Sequence, residues 1–356
     1  MNYQEFLERK TQLAGNYGFK AIFLPDILFD YQKYLTDWGL FKGRAATFAD
    51  TGLGKSIMQL VTAENIVRKT NKNVLILTPL SVSRQTVDEG AKFGIEAAQS
   101  RDGKPKGKIT ITNYQQLNKF DPNDFIGCLV DESSILKNAK GQIKTDVTRF
   151  MNKMPYRNLY SATPSPNDYV ELGTSSECLG ELQYMDMVAQ FFRDTSNDKN
   201  PQWSTPKYVL KGHAQNDFWR WVSSWARACR KPSDLGDFDD TKHILPDLIE
   251  TEHILQVTKP LPGELYVREA VTLGDQRKEG KMTVNDRCGK AAELVEKHEC
   301  SIMWCDYDYE AETLAKIVPN SVEVSGRDKE EAKEEKFIAF ETGQIKRLII
   351  KPSIGA

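Results

Sequence analysis

The sequence predicts an α/β protein with two doubly wound parallel-sheet domains and a helical insertion after the first. Three observations predict it. Short apolar runs alternate with helical periodicities from Arg44 to Thr163; the rhythm breaks between about Asp168 and Asp247; it returns after about Thr283. Parallel strands covered by helices on both faces read as continuous apolar runs, unlike the in–out alternation of a half-solvated sheet. At 356 residues the chain is long enough for two cores. The expected division is 1–167 for the first domain, 168–250 for the insertion and crossing segment, and 251–356 for the second domain.

Taken in order, Ala45-Ala46-Thr47-Phe48 reads as a buried strand. Ser56 to Lys69 reads as a helix, with Ile57, Leu60, Val61 and Val67 at helical spacing. Val74 to Leu77, Ile109 to Thr112, Cys128 to Val130 and Leu159-Tyr160 follow as strands. The middle stretch holds aromatic-rich helices and a polar loop from Thr195 to Pro206. Phe218, Trp221, Val222 and Trp225 fall on one helical face, which is either packed core or a stacking surface for nucleic acid. In the second domain Ser301 to Cys305, Val322 to Val324 and Leu348 to Lys351 read as strands, and Glu310 to Ile317 and Lys329 to Glu341 as helices. The charge run Arg327 to Lys336 is the solvated face of its helix, with Phe337 and Phe340 turned inward.

Composition excludes several classes. No apolar run approaches the length that spans a bilayer, so no membrane partner is expected. Met1 to Lys10 carries acids and no apolar stretch, so no signal peptide is expected and the cytoplasm is the expected location. Six cysteines form no CxxC pair and four histidines lie apart from them, which argues against a disulfide framework and a zinc site. A net charge of −2 rules out a globally basic coat protein while leaving room for a local groove.

The chemistry concentrates in two places. Ala49-Asp50-Thr51-Gly52-Leu53-Gly54-Lys55-Ser56 lies between the first strand and the first helix, the context a phosphate-binding loop requires. Gly52 and Gly54 allow a tight turn whose N–H groups face inward, and the helix start adds its positive end. Lys55 is expected to reach the β- and γ-phosphates of ATP, and the Ser56 hydroxyl to ligate Mg²⁺. Ala49 stands where the first glycine of the general pattern would be. Asp131-Glu132 directly follows the apolar strand Cys128-Leu129-Val130, where ligands bind in such sheets. Asp131 is assigned to Mg²⁺, and Glu132 to positioning and deprotonating the attacking water.

With these residues in place, the order of motifs resembles the superfamily-two helicases, in particular their Swi/Snf-type DNA translocase branch with its short phage-encoded relatives. Phe29-Asp30-Tyr31-Gln32 resembles the adenine-reading segment, which implies that Gln32 bonds the base edge. Asp50 to Ser56 is similar to the family's first motif, which tolerates the missing first glycine. Leu77-Thr78-Pro79-Leu80-Ser81 and Ile111-Thr112-Asn113-Tyr114 resemble segments that face DNA. Asp131 to Asn138, with its trailing Lys137-Asn138, resembles the Swi/Snf branch more than RNA helicases, although Ser133-Ser134 replaces an Ala-His pair. Ser161-Ala162-Thr163-Pro164 is similar to the motif that couples ATP state to DNA grip. Leu245-Pro246-Asp247, then Met303-Trp304-Cys305, Ser325-Gly326, Phe340 and Leu348 through Gly355 follow the family order.

The resemblance implies two RecA-like domains that close and open on ATP and Mg²⁺ while moving along DNA, in the host cytoplasm if the chain is phage-encoded. It implies phosphate contacts from Ser81, Arg84, Thr112, Asn113 and Lys137, and coupling through Ser161 and Thr163. A monomer is favoured. The resemblance ends at Ala356, inside the fifth motif, with no counterpart of the sixth, arginine-bearing one. The alternatives are an RNA helicase, a nucleotide-dependent clamp or regulator without efficient turnover, and the motor subunit of a restriction or modification assembly.

Overall fold

A computed structural model describes residues 13–196, 207–244, 246–257, 260, 265–267 and 269–355. Met1 to Lys10, most of the polar loop to Pro206, Leu245 and Ala356 lie outside the described residues. The chain divides into two compact units, 1–245 and 246–356.

In the first unit, helix α1 (Asp30–Lys42) leads to β1 (Arg44–Ala49), α2 (Lys55–Thr70), β2 (Val74–Thr78) and α3 (Ser83–Lys92). Then come β3 (Ala97–Gln99), β4 (Ile109–Asn113), β5 (Gly127–Val130), α4 (Gln142–Met151) and β6 (Tyr156–Tyr160). Helices α5 (Leu172–Leu179) and α6 (Tyr184–Phe191) precede a hairpin of β7 (Phe192–Asp194) and β8 (Tyr208–Leu210). Helix α7 (Gln215–Trp225) and β9 (Ala226–Cys229) follow.

Among the described residues, seven of these strands form one sheet in the order β3-β4-β2-β5-β6-β1-β9, every pair parallel. The predicted fold class is therefore the observed one, for a visible reason. Leu75, Leu77, Phe48, Cys128 and Val130 enter one core with α4 to α7. Val74, Ile76, Ala49 and Leu129 enter the other, under α1 and α2. Both faces are apolar because both are covered, and burial of each such aliphatic side chain contributes about 1.5–3 kcal/mol.

The stretch expected as a helical insertion carries α5, α6 and α7, but it also returns a strand to the main sheet. β9 pairs with β1, Ala46 opposite Ala226 and Ala49 opposite Cys229. On α7, Phe218, Trp221 and Trp225 are each 0% exposed, which settles their face as core and removes it as a stacking surface.

The second unit holds α8 (Leu273–Met282), α9 (Val284–Glu296), β10 (Ser301–Trp304), α10 (Asp308–Ile317), β11 (Ser321–Val324), α11 (Glu330–Glu341) and β12 (Arg347–Ile350). Its strands run parallel in the order β10-β12-β11. α9 and α10 cover one face with Cys288, Val295 and Leu314. Phe337 and Phe340 of α11 pack on the other, as the charge pattern predicted. Each of the six cysteines is a free thiol. No helix among the described residues is long and apolar enough to cross a membrane.

Candidate nucleotide site

The sheet order brings the C-terminal ends of β1, β5 and β6 side by side at the middle of the first unit, so the loop after β1 and the acids after β5 share one edge. Such strand ends are where parallel sheets bind ligands. The loop takes the shape its glycines permit: Gly52 and Gly54 have φ of +85° and +73°. Space around the Gly52 α-carbon is open, whereas a β-carbon on Gly54 would collide with the Gln32 amide nitrogen. We therefore expect Gly54→Ala to destabilise the first unit by about 1–3 kcal/mol, read as a lowered thermal midpoint. An unchanged midpoint would contradict this loop geometry.

Lys55 folds back under the loop, its Nζ donating to the carbonyls of Ala49 and Asp50 at 3.1 and 3.3 Å. Ala49, in place of a glycine, is wholly buried at the end of β1, and only its carbonyl is used here. The first turn of α2 contains no acid, leaving the helix start positive. The backbone N–H of Thr51 donates to Asp50 Oδ1 at 2.7 Å.

The acid pair is held from several sides. Gln59 Nε2 donates to Asp131 Oδ1 at 2.6 Å, the Asp131 N–H donates to the Leu77 carbonyl at 2.8 Å, and the Tyr114 hydroxyl donates to the Asp131 carbonyl. Burial pushes the Asp131 carboxyl above its ordinary range, the Gln59 hydrogen bond pulls it down, and the Glu132 carboxylate adds to the rise. Glu132 has φ of +48°, a left-handed conformation costly for a residue with a β-carbon. Its Oε1 accepts from Ser134 Oγ at 2.7 Å and from Ser161 Oγ at 2.9 Å. Ser161 Oγ also accepts from the Thr163 N–H at 3.1 Å, and the Ser161 N–H donates to Thr47 at 3.3 Å.

The donor set fits a magnesium–nucleotide complex. Among the described residues no cluster of three His, Cys, Asp or Glu could cage a metal by itself. A carboxylate and a hydroxyl are hard oxygen ligands of the kind Mg²⁺ uses when phosphates and water fill the remaining positions. Asp131, half-buried and without an ion-pair partner among the described residues, supplies the first. The Ser56 hydroxyl, partly exposed and unbonded among the described residues, supplies the second.

Three expected roles change. Gln32 is 4% exposed and both ends of its amide are engaged: Oε1 accepts from the Phe29 N–H at 3.0 Å, and Nε2 donates to the Leu53 carbonyl at 3.0 Å. It props the loop together with the Tyr31 hydroxyl, which donates to the same carbonyl at 3.0 Å, and leaves no free pair for a base edge. Thr112 and Asn113 are 1% and 2% exposed, and so are not available to a phosphate. Both lie at the buried end of β4, between β2 and β3, and Asn113 Oδ1 is spent on the Gln116 N–H at 3.1 Å. Of the other nucleic-acid candidates, Ser81 is half-buried, Arg84 is exposed beside Asp88 at 4.0 Å, and Lys137 is exposed.

Sequence reasoning passed over Gln59, and it met Tyr114 and Ser134 only inside their motifs, without the bonds they make to Asp131 and Glu132. Gln59 carries a faint signal: it stands one helical turn beyond Lys55, a polar residue in the run Ile57-Met58-Gln59-Leu60-Val61, and is 1% exposed.

No protein-family model matches the chain, and no curated protein does. Among solved structures it is similar to the SWI2/SNF2 ATPase core of Sulfolobus solfataricus in complex with dsDNA, at 16% identity and a TM-score of 0.48, covering 91% of this chain and 78% of that one. The ATPase core domain from the same organism gives 16% and 0.48, covering 94% and 78%. The UvsW helicase of bacteriophage T4 gives 17% and 0.36, covering 51% of this chain and 66% of that one.

Proposed function

We propose that the chain is an ATP-driven DNA motor, a helicase or translocase of superfamily two and of its Swi/Snf-type branch. One observation carries the reading. The helix that begins at Lys55 reaches Asp131 through Gln59 at 2.6 Å, which ties the phosphate loop and the acid pair into a single site. Beside it lies Glu132, whose backbone is left-handed and whose carboxylate is bonded to the segment that follows β6.

On this reading the loop amides of Gly52, Gly54, Lys55 and Ser56 surround the phosphates, those of Thr51 and Leu53 being bonded to Asp50, and Lys55 leaves its carbonyl partners to meet the β- and γ-oxygens. Bound through Ser56 and Asp131, Mg²⁺ would neutralise charge as it develops on the phosphates. Glu132 orients a water and takes its proton; the water oxygen bonds to the γ-phosphorus as the bond to the β-phosphate oxygen breaks, giving ADP and phosphate. Ser81, Arg84 and Lys137 are the remaining candidates for backbone phosphates. Such contacts would make DNA affinity salt-dependent and indifferent to sequence. The trailing Lys137-Asn138 supports the DNA-translocating branch over an RNA helicase.

The test is ATP turnover with single-stranded DNA, duplex DNA and RNA. Stimulation by DNA is expected, while no stimulation by any of them would count against a motor. Coupling makes a narrower prediction. Ser161→Ala removes a hydrogen bond to a carboxylate, so DNA-stimulated kcat should fall about tenfold with KM for ATP unchanged. An unaltered kcat would detach Ser161 from the chemistry.

A further inference from the structure

Helix α7 has a second side that the nucleotide site does not use. Its Phe218, Trp221 and Trp225 are buried, but Trp219 between them is 38% exposed. The Trp219 indole stands edge-on to Tyr169, with ring centroids 5.0 Å apart and planes at 80°, and Tyr169 is 51% exposed. Both rings line an open cavity of about 800 Å³ with Tyr34, Phe48, Pro164 and Arg230. A neighbouring cavity of about 360 Å³ shares Phe48, Pro164 and Arg230 and reaches Asp50 of the phosphate loop. The groove thus runs along the ends of β1 and β9 toward the nucleotide site.

Its charges are unevenly committed. Arg227 lies 4.2 Å over the Trp38 ring and donates to the Ala226 carbonyl at 3.0 Å, so it is occupied. The Asp234 carboxylate accepts from the N–H groups of Arg230 and Lys231 at 2.7 and 3.1 Å. Asp50 accepts from the Thr51 N–H. The exposed Arg230 guanidinium has no hydrogen-bond or ion-pair partner among the described residues. What remains for a ligand is one free cation beside two partly exposed aromatic rings.

We propose that this groove holds a single strand of nucleic acid, with a base against Trp219 and Tyr169 and a neighbouring phosphate at Arg230. Aromatic rings stack any base, and a guanidinium takes a phosphate through paired N–H donors. A duplex offers its bases no free face, and an apolar peptide would leave Arg230 without an anion. Pro164 lines the groove and follows Thr163, whose N–H is bonded to Ser161 Oγ, itself a partner of Glu132. A strand lying there presses on the segment that holds the catalytic carboxylate. This last link rests on the motor reading; the binding itself does not.

The test uses the full chain with labelled oligo-dT, oligo-U and a hairpin duplex, and the variants Trp219→Ala, Trp219→Phe, Arg230→Ala and Lys55→Ala. Trp219→Ala and Arg230→Ala should each weaken single-strand affinity about tenfold, with duplex affinity and strand-free turnover unchanged. Trp219→Phe, which keeps a ring, should recover most of the loss, and Arg230→Ala should flatten the salt dependence by about 0.7 in log–log slope. The oligo-dT and oligo-U arms tell a DNA strand from an RNA strand. Single-strand affinity unaltered in both Trp219→Ala and Arg230→Ala, or an equal loss for the duplex, would overturn the proposal. Lys55→Ala separates the two readings: it should lose turnover and keep strand binding. A parent chain without turnover but with Trp219-dependent binding would sink the motor and leave the groove standing.

Discussion

Replacing Lys55 with alanine should slow ATP turnover about a hundredfold to a thousandfold, the usual loss when one preorganised charge is taken from a developing anion. The structure makes this a clean experiment. Lys55 forms no salt bridge among the described residues; its ammonium rests on two backbone carbonyls at 3.1 and 3.3 Å and is partly exposed. Nothing in the core depends on it, so stability should change by no more than about 0.5 kcal/mol, which a melting curve checks. The helix start and the glycine turn stay in place, so the variant should still bind nucleotide, more weakly. Turnover equal to the parent would remove the loop from the chemistry.

Glu132→Gln should lower turnover by about two to four orders of magnitude while nucleotide affinity is largely kept. Glutamine has the shape of glutamate and an oxygen that still accepts from Ser134 and Ser161, the two hydroxyls now at 2.7 and 2.9 Å. What it lacks is the capacity to take a proton from water. The backbone strain at φ +48° belongs to the position and persists in the variant, so stability is not the cause of the loss. Single-turnover kinetics with separately measured binding distinguishes the two effects. A variant that loses affinity and rate together would make Glu132 a binding residue, and one with parental kcat would end its role as base.

Much of this site was legible in the sequence because its constraints are local. The loop needs positive φ at two places, which glycine marks, and the acids follow a strand whose continuous apolar run announces burial on both faces. Other features depend on distant partners and leave little trace. The contact between Gln59 and Asp131 spans 72 residues. Strand β9, Ala-Arg-Ala-Cys, has no apolar run because it lies at the sheet edge with its middle residues partly exposed, so its stretch reads only as helical. β3 is an edge strand with the same half-buried character. Thr112 and Asn113 show a different failure. A motif gives a segment's place in the fold, yet whether its side chains reach solvent depends on where β4 ends, and the strand runs through Asn113.

The central claim is that the phosphate loop and the acid pair are one nucleotide site. Hydrogen exchange on the full chain, with and without ATP and Mg²⁺, tests it most directly. Amides from Thr51 to Ser56 and from Asp131 to Ser134 should slow together on nucleotide addition, the second segment only when Mg²⁺ is present. Protection at the loop with none at the acids, or at neither, would contradict the account.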